Sequence, residues 1–232
     1  MSEFISRNLD TIHAAMVSAA KGASRDVSGI TLVAVSKRQK LDSIETASAC
    51  GQQIFGENYA QELRDKAAQI ACPVTWHFIG PLQKNKLKYI VGVSALIHTV
   101  SSLEVARLID ERAKGLGIVQ SVLIQVKTSP EPSKHGALPE DLGPLLSAVL
   151  ELPNIKVEGF MTMAPWDPDP EKGRPYYRAL RKIKEETEAR YTHLAPLALS
   201  MGMSDDFPVA ISEGATIIRV GTAIFGSREG VG

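Results

Sequence analysis

The residues with chemistry to offer sit at two distant places in this chain. Lys37 closes the apolar run Leu32-Val33-Ala34-Val35-Ser36. An amine there has two uses: it can snorkel from the rim into water, or, desolvated, lose its proton and attack a carbonyl carbon. Far downstream, SMGMSDD (Ser200 to Asp206) and RVGTAIFG (Arg219 to Gly226) combine glycines, hydroxyls and a cation. Gly202 lets the backbone approach an anion, Ser200 and Ser204 offer hydroxyls, and Gly221-Thr222 adds amides and another hydroxyl. The pair reads as a phosphate cradle with a cation beside it. Equally, the serines and glycine of the first loop form a turn and cap a helix beginning at Asp205.

Nucleophile and cradle share a site only if a fold brings them together. Short β-rich apolar runs alternate with longer amphipathic stretches, a β/α rhythm. After an opening helix over Glu3–Ala23, the strand candidates are Thr31–Ser36, Gln53–Gly56, Thr75–Ile79, Leu96–Val100, Ser121–Val126, Lys156–Phe160, Leu197–Leu199 and Ile217–Val220. Helical patterns lie between them at Leu41–Cys50, Glu57–Ile70, Lys84–Val91, Ser102–Gly115, Glu140–Glu151, Arg174–Tyr191 and Asp205–Glu213. Eight strands with helical crossovers in 232 residues predict a single α/β domain spanning 1–232, a compact (β/α)8 TIM barrel with an extra N-terminal helix. The competing architecture is an open doubly wound sheet, whose dinucleotide-binding form is disfavoured because no GxGxxG follows the first strand. Asp42 with Glu45 resembles a capping arrangement, Pro139 suits a helix entry and Gly51 a helix exit. The polar, proline-bearing loop Trp166–Gly173 is too short for a domain linker.

In a TIM barrel the strand C-termini converge on one face. That face would carry Lys37, Glu57, Asn58, His77, Thr99, Ser101, Lys127, Lys134, Met161, Met163, Ser200 to Ser204, Gly221 and Thr222. The loops after strands seven and eight often bind phosphate in this fold. An aldehyde cofactor carrying phosphate, pyridoxal 5'-phosphate, would use both ends of the site. Lys37 would supply the amine, and Arg219, if inward, would reach the pyridine nitrogen. The alternative for Arg219 is an ion pair with a carboxylate such as Glu213. The choice matters: a carboxylate keeps the ring nitrogen protonated and the cofactor a strong electron sink. A permanently charged donor does the reverse.

Composition excludes several classes. Lys plus Arg number 26 and Asp plus Glu 26, so no bulk field favours nucleic acid or an anionic membrane. Cys50 and Cys72 lack metal or redox spacing and cannot build a disulfide framework, which fits a reducing, cytoplasmic setting. No cluster has metal-ligand spacing, no apolar stretch spans a membrane, and the N-terminus reads as helix rather than signal peptide.

TLVAVSK, IFGENYAQE, WHFIGPLQKNK, EPSKHG, GFMTMAP, SMGMSDDF and IRVGTAIFG, in that order from about Thr31 to Gly226, resemble the signatures of the YggS/PROSC family of pyridoxal phosphate homeostasis proteins. The resemblance implies a barrel of the alanine racemase N-terminal-domain type holding pyridoxal phosphate as an internal aldimine. It implies that Lys37 is the Schiff-base lysine, that Asn58 lies close to the cofactor, and that Arg219 faces the ring nitrogen. Ser200, Met201 and Gly202 match the first part of the phosphate site, and Gly221 and Thr222 its second part. One departure is Ser101-Ser102, where the family commonly has a Ser-Asp pair after IHTV, so a rim carboxylate is in doubt.

The expectation is therefore a pyridoxal phosphate-binding protein that buffers or delivers the cofactor, with apo-enzymes as possible recipients, a monomeric state and no firm catalytic residue. Racemases of similar barrel type use a second domain, and after Phe225 only residues 226–232 remain. Rival readings are an amino-acid racemase or decarboxylase using His77 or Lys134 as acid or base, and a cofactor-free aldolase with a Schiff base on Lys37.

Overall fold

The computed structural model describes residues 2–131 and 135–226. Eight parallel strands follow one another round a closed barrel in chain order. They are β1 (Thr31–Val35), β2 (Ile54–Glu57), β3 (Thr75–Phe78), β4 (Leu96–Val100), β5 (Gln120–Gln125), β6 (Ile155–Met161), β7 (Ala198–Ser200) and β8 (Ile217–Val220). Closure comes from β1 against β8, with Thr31 opposite Ile217 and Ala34 opposite Val220. An open sheet would leave two edges there; the barrel leaves none.

Both faces of each strand are used, which explains the near-continuous apolar runs. Val33, Leu96, Leu123, Met161 and Ile217 form one cluster. They come from β4, β5 and β6 on one side of the barrel and from β8 and β1 on the other, so they meet across the lumen and plug it. The alternate residues, among them Ala34, Phe55, Ile97, Val122, Phe160 and Ile218, face outward into a second, larger core. That core is completed by the helices α2 (Leu41–Ala49), α3 (Ala60–Gln69), α4 (Leu103–Leu116), α5 (Leu142–Leu150), α6 (Arg174–Arg190) and α7 (Phe207–Ser212). Each fully buried Leu, Ile or Phe there contributes roughly 1.5–3 kcal/mol of transfer free energy.

The opening helix α1 (Ser2–Gly22) buries Ile5, Leu9, Ile12, Met16 and Ala20, a stripe at helical spacing. It lies against α7 and the short α8 (Thr222–Phe225). Asn8 Nδ2 donates to the Ile224 carbonyl at 2.9 Å, and Arg25 just beyond the helix donates to the Ile211 carbonyl at 2.7 Å. The extra helix thus ties down the chain next to β8. Among the described residues no helix is long and apolar enough to cross a membrane.

Several boundaries differ from the sequence reading. Lys84–Val91 is not an α-helix but a 3-10 helix over Lys84–Tyr89 in which only Leu87 is buried; with Pro81 before it and Gly92 at φ +84° after it, there is no length for an amphipathic helix. Helix α3 starts at Ala60 rather than Glu57. Glu57 instead pairs with Phe78 as the last residue of β2 and is fully buried. The proposed cap at Asp42 does not form: Lys40 is the N-cap of α2 and no side chain caps it. Asp42 still lies in the first turn, where a carboxylate complements the helix dipole. Gly51, at φ +94°, ends that helix as expected, and Pro139 opens the 3-10 turn leading into α5.

Candidate site at the C-terminal mouth of the barrel

Lys37 sits in a tight turn just past β1. Gln39 N–H donates to the Ser36 carbonyl at 2.9 Å, placing Lys37 and Arg38 at the two central positions, with Arg38 at φ +61°. A non-glycine residue there is strained and needs support. Helix α3 provides it. Lys66 Nζ donates to the Ser36 carbonyl at 2.7 Å, to Glu57 Oε1 at 2.8 Å and to Glu62 Oε1 at 2.7 Å. Glu62 in turn accepts from the Arg38 backbone N–H, and the Ser36 hydroxyl donates to Glu57 Oε1 at 2.6 Å. The turn bearing Lys37 is therefore pinned at both neighbours by a buried ion-pair network. Burial pushes the Glu57 carboxyl above its ordinary range, against the pull of Lys66.

Strand neighbours place the other expected residues around Lys37. Ser36 N–H bonds to the Gly56 carbonyl at 3.0 Å, bringing the end of β2 and Asn58 alongside. The approach is tight: a Cβ on Gly80 would lie 2.0 Å from the Asn58 carbonyl oxygen, so only glycine fits. On the other flank, a Cβ on Gly221 would meet Val35 at 3.2 Å. Gly202, at φ +91°, packs against Phe207 and Ala210, and its carbonyl accepts from Arg219 N–H at 3.1 Å. Asn58 and Gly221 are half-buried, Thr222 is exposed, and Ser200, Met201 and Gly202 are buried.

The phosphate-like geometry centres on Ser204. Its Oγ receives Gly221 N–H at 3.3 Å, Thr222 Oγ1 at 3.0 Å and Ala223 N–H at 3.5 Å. Donors from the loop after β8 thus converge on one oxygen supplied by the loop after β7. The latter loop is held from behind, where Asp206 Oδ1 accepts from Met203 N–H at 2.6 Å and Asp206 Oδ2 from the Tyr177 hydroxyl. Burial, then the Asp206 carboxylate, pushes the Tyr177 phenol far above its usual range, so it remains a donor. Tyr177→Phe is expected to lower the unfolding free energy by about 1–2 kcal/mol in a denaturant titration, the cost of one buried, charge-assisted bond.

Arg219 points inward and is 4% exposed. It does not pair with Glu213, which is claimed by Arg174 at 2.9 Å, Arg178 at 3.1 Å and Arg181 at 3.2 Å on α6. Burial opposes ionisation of Glu213, but those guanidinia outweigh it and hold the carboxyl below its usual value. Arg219 instead donates to Ser200 Oγ at 2.6 Å and to the Thr162 carbonyl at 3.0 Å. Burial lowers its pKa to about 10, so it stays charged at neutral pH.

Ser200 Oγ also lies 2.9 Å from His98 Nδ1, and His98 Nε2 lies 3.0 Å from His77 Nδ1. His77 is therefore a buried interior residue rather than a rim histidine. Burial lowers its pKa to about 4, and burial with the nearby His77 and Arg219 holds that of His98 well below its ordinary value. His98, Thr162, Lys66 and Tyr177 were missed from the sequence. The available signal for His98 was alternation: it follows Leu96 on the inward side of β4. Lys134 lies outside the described residues. Among the described residues no three His, Cys, Asp or Glu side chains are grouped to hold a metal ion.

The description "Alanine racemase, N-terminal domain" matches residues 8–229. The pyridoxal phosphate homeostasis protein of Aquifex aeolicus is 42% identical over 228 residues, covering 98% of each chain. That of Escherichia coli K12 is 39% identical over 236 residues, covering 97% of each. Among solved structures, PipY of Synechococcus elongatus with pyridoxal phosphate bound is similar at 34% identity and a TM-score of 0.85, over 96% of this chain and 100% of that one. Alanine racemase of Clostridium difficile shares the fold at 14% identity and a TM-score of 0.71, over 99% of this chain and 58% of that one. With the barrel order, the match over nearly its whole length and these identities together, the chain belongs to the pyridoxal phosphate homeostasis proteins, a family built on the alanine racemase N-terminal domain.

Proposed function

We propose that one barrel domain, residues 1–232, binds pyridoxal 5'-phosphate through Lys37 and serves cytoplasmic cofactor homeostasis, buffering it or delivering it to apo-enzymes, with little or no turnover. The observation that carries this reading is the convergence at one barrel mouth of a rigidly held lysine, a nest of donors and a buried cation. When bound there, the cofactor would supply an aldehyde carbon, and Lys37 would be the amine held to meet it. Asn58 lines the mouth beside Lys37. The Gly221 and Ala223 amides and the Thr222 hydroxyl, which already converge on one oxygen, suit phosphate, with Ser200, Met201 and Gly202 forming the opposite wall.

Arg219 favours holding over chemistry. It is charged, donor-only and unneutralised by Glu213, so it suits an unprotonated ring nitrogen and a weak electron sink. Of the two acid/base candidates of the racemase reading, Lys134 lies outside the described residues and His77 is buried with Nδ1 committed to His98. We propose a monomer, since nothing in this reading requires a second subunit to complete the site.

The test is a visible spectrum of purified protein with added pyridoxal phosphate, followed by borohydride reduction and peptide mapping. A new absorption band and a label on Lys37 are expected; a protein that stays colourless overturns the reading. Incubation with single amino-acid enantiomers is expected to leave optical activity unchanged. Robust turnover, abolished by Lys37→Ala, would make the protein an enzyme instead.

A further inference from the structure

The barrel interior contains a polar chain whose direction can be worked out atom by atom. Arg219 has only donors, so Ser200 Oγ accepts from it across 2.6 Å. The Ser200 hydroxyl proton then needs another acceptor. His98 Nδ1, 2.9 Å away, fills that role. An accepting Nδ1 leaves the proton of a neutral imidazole on Nε2, which donates to His77 Nδ1 at 3.0 Å. By the same rule His77 carries its proton on Nε2. The reverse direction would make Ser200 Oγ accept twice and send its proton elsewhere from a fully buried position.

We propose that His98, backed by His77, is a positioning residue for Arg219: it takes up the Ser200 hydroxyl proton and so keeps Ser200 Oγ turned to the guanidinium as an acceptor. A neutral acceptor suits the task. A carboxylate in its place would pair with Arg219 and cancel the charge, whereas an imidazole orients Ser200 and leaves the cation intact. The other anchor of Arg219 is equally neutral: the Thr162 carbonyl at 3.0 Å, in a residue whose hydroxyl donates to the Val126 carbonyl at 2.9 Å. The guanidinium's hydrogen-bond acceptors are thus neutral, from β7 and the end of β6, while the Asp206 carboxylate acts on it through space. Burial keeps His77 uncharged, and burial, with His77 and the Arg219 charge beside it, does the same for His98.

The functional weight of this inference rests on the proposed contact between Arg219 and the cofactor; its hydrogen-bond direction does not. Two measurements separate them. In the cofactor-free protein, NMR of 15N-labelled histidine at neutral pH is expected to show His77 and His98 both neutral and protonated on Nε2. A charged imidazole or an Nδ1–H tautomer at either position overturns the proposal, whatever the cofactor does. Second, pyridoxal phosphate affinity is measured by equilibrium dialysis. His98→Leu is expected to weaken it about tenfold, as an unsatisfied buried hydroxyl disorders the guanidinium contact. His98→Asn, which offers an amide oxygen near the place of Nδ1, should recover most of that loss. In an Arg219→Gln background His98→Leu should cost little more, because both changes remove the same interaction. Fully additive losses, or no rescue by asparagine, would reduce His98 to packing and overturn the proposal. Should the wild-type chain take up no cofactor, the functional reading falls and the tautomers decide the inference.

Discussion

Replacing Lys37 with alanine is expected to abolish the visible band formed with pyridoxal phosphate and to eliminate borohydride-dependent labelling. The residual, noncovalent affinity should fall about a hundredfold, equivalent to roughly 2.7 kcal/mol, and remain sensitive to competing inorganic phosphate because the donors around Ser204 are untouched. Stability should scarcely change, since Lys37 is only half-buried and the turn is closed by backbone atoms of Ser36 and Gln39. A titration by absorbance, with circular dichroism as a folding control, checks all three. An unchanged band in Lys37→Ala would place the reactive amine elsewhere.

Lys66→Met is expected to be the more damaging change to the fold. It removes three hydrogen bonds at once and leaves Glu57, fully buried, without its cation. Breaking a buried pair on one side typically costs about 3–5 kcal/mol. The pH dependence follows from the direction of the Glu57 shift. Its carboxyl is already raised in the folded state, and loss of Lys66 raises it further. Protonation therefore favours folding: the penalty is largest above the folded pKa and fades as pH falls through it toward the unfolded value. Denaturant titrations should show a large deficit at neutral pH and a smaller one in mild acid. Glu57→Gln with Lys66→Met should regain much of the loss, because no charge is left to bury. A deficit independent of pH, or no gain in the double variant, would mean that Glu57 is not ionised against Lys66.

That network also bears on Lys37. Helix α3 grips the carbonyl before it and the amide after it, so damage at Lys66 should loosen the turn that carries Lys37 as well as the fold. The chain is electrically balanced overall, so the phosphate contact proposed for it would rest on oriented local donors rather than a surface field.

The strands were legible in the sequence because a parallel barrel buries both strand faces, and such runs stand out between amphipathic stretches. The placement of Lys37, Gly202, Gly221 and Thr222 just past strand ends on one barrel face was legible as well, since an amine at a strand end and glycine-hydroxyl loops at later strand ends are local patterns. The helix onset at Glu57 and the cap at Asp42 were misplaced: both residues have side chains suited to a helix start, and register outweighed that preference at Glu57 by extending β2 opposite Phe78. The partners of the site residues were hidden for a stronger reason. Whether Arg219 meets Glu213 or Ser200, and whether His77 meets water or His98, depends on which residues of different strands share a layer across the lumen. Side-chain types and spacing along one strand say which face a residue takes. Only barrel closure, through register and stagger, says what stands opposite, and with it which buried polar groups are satisfied.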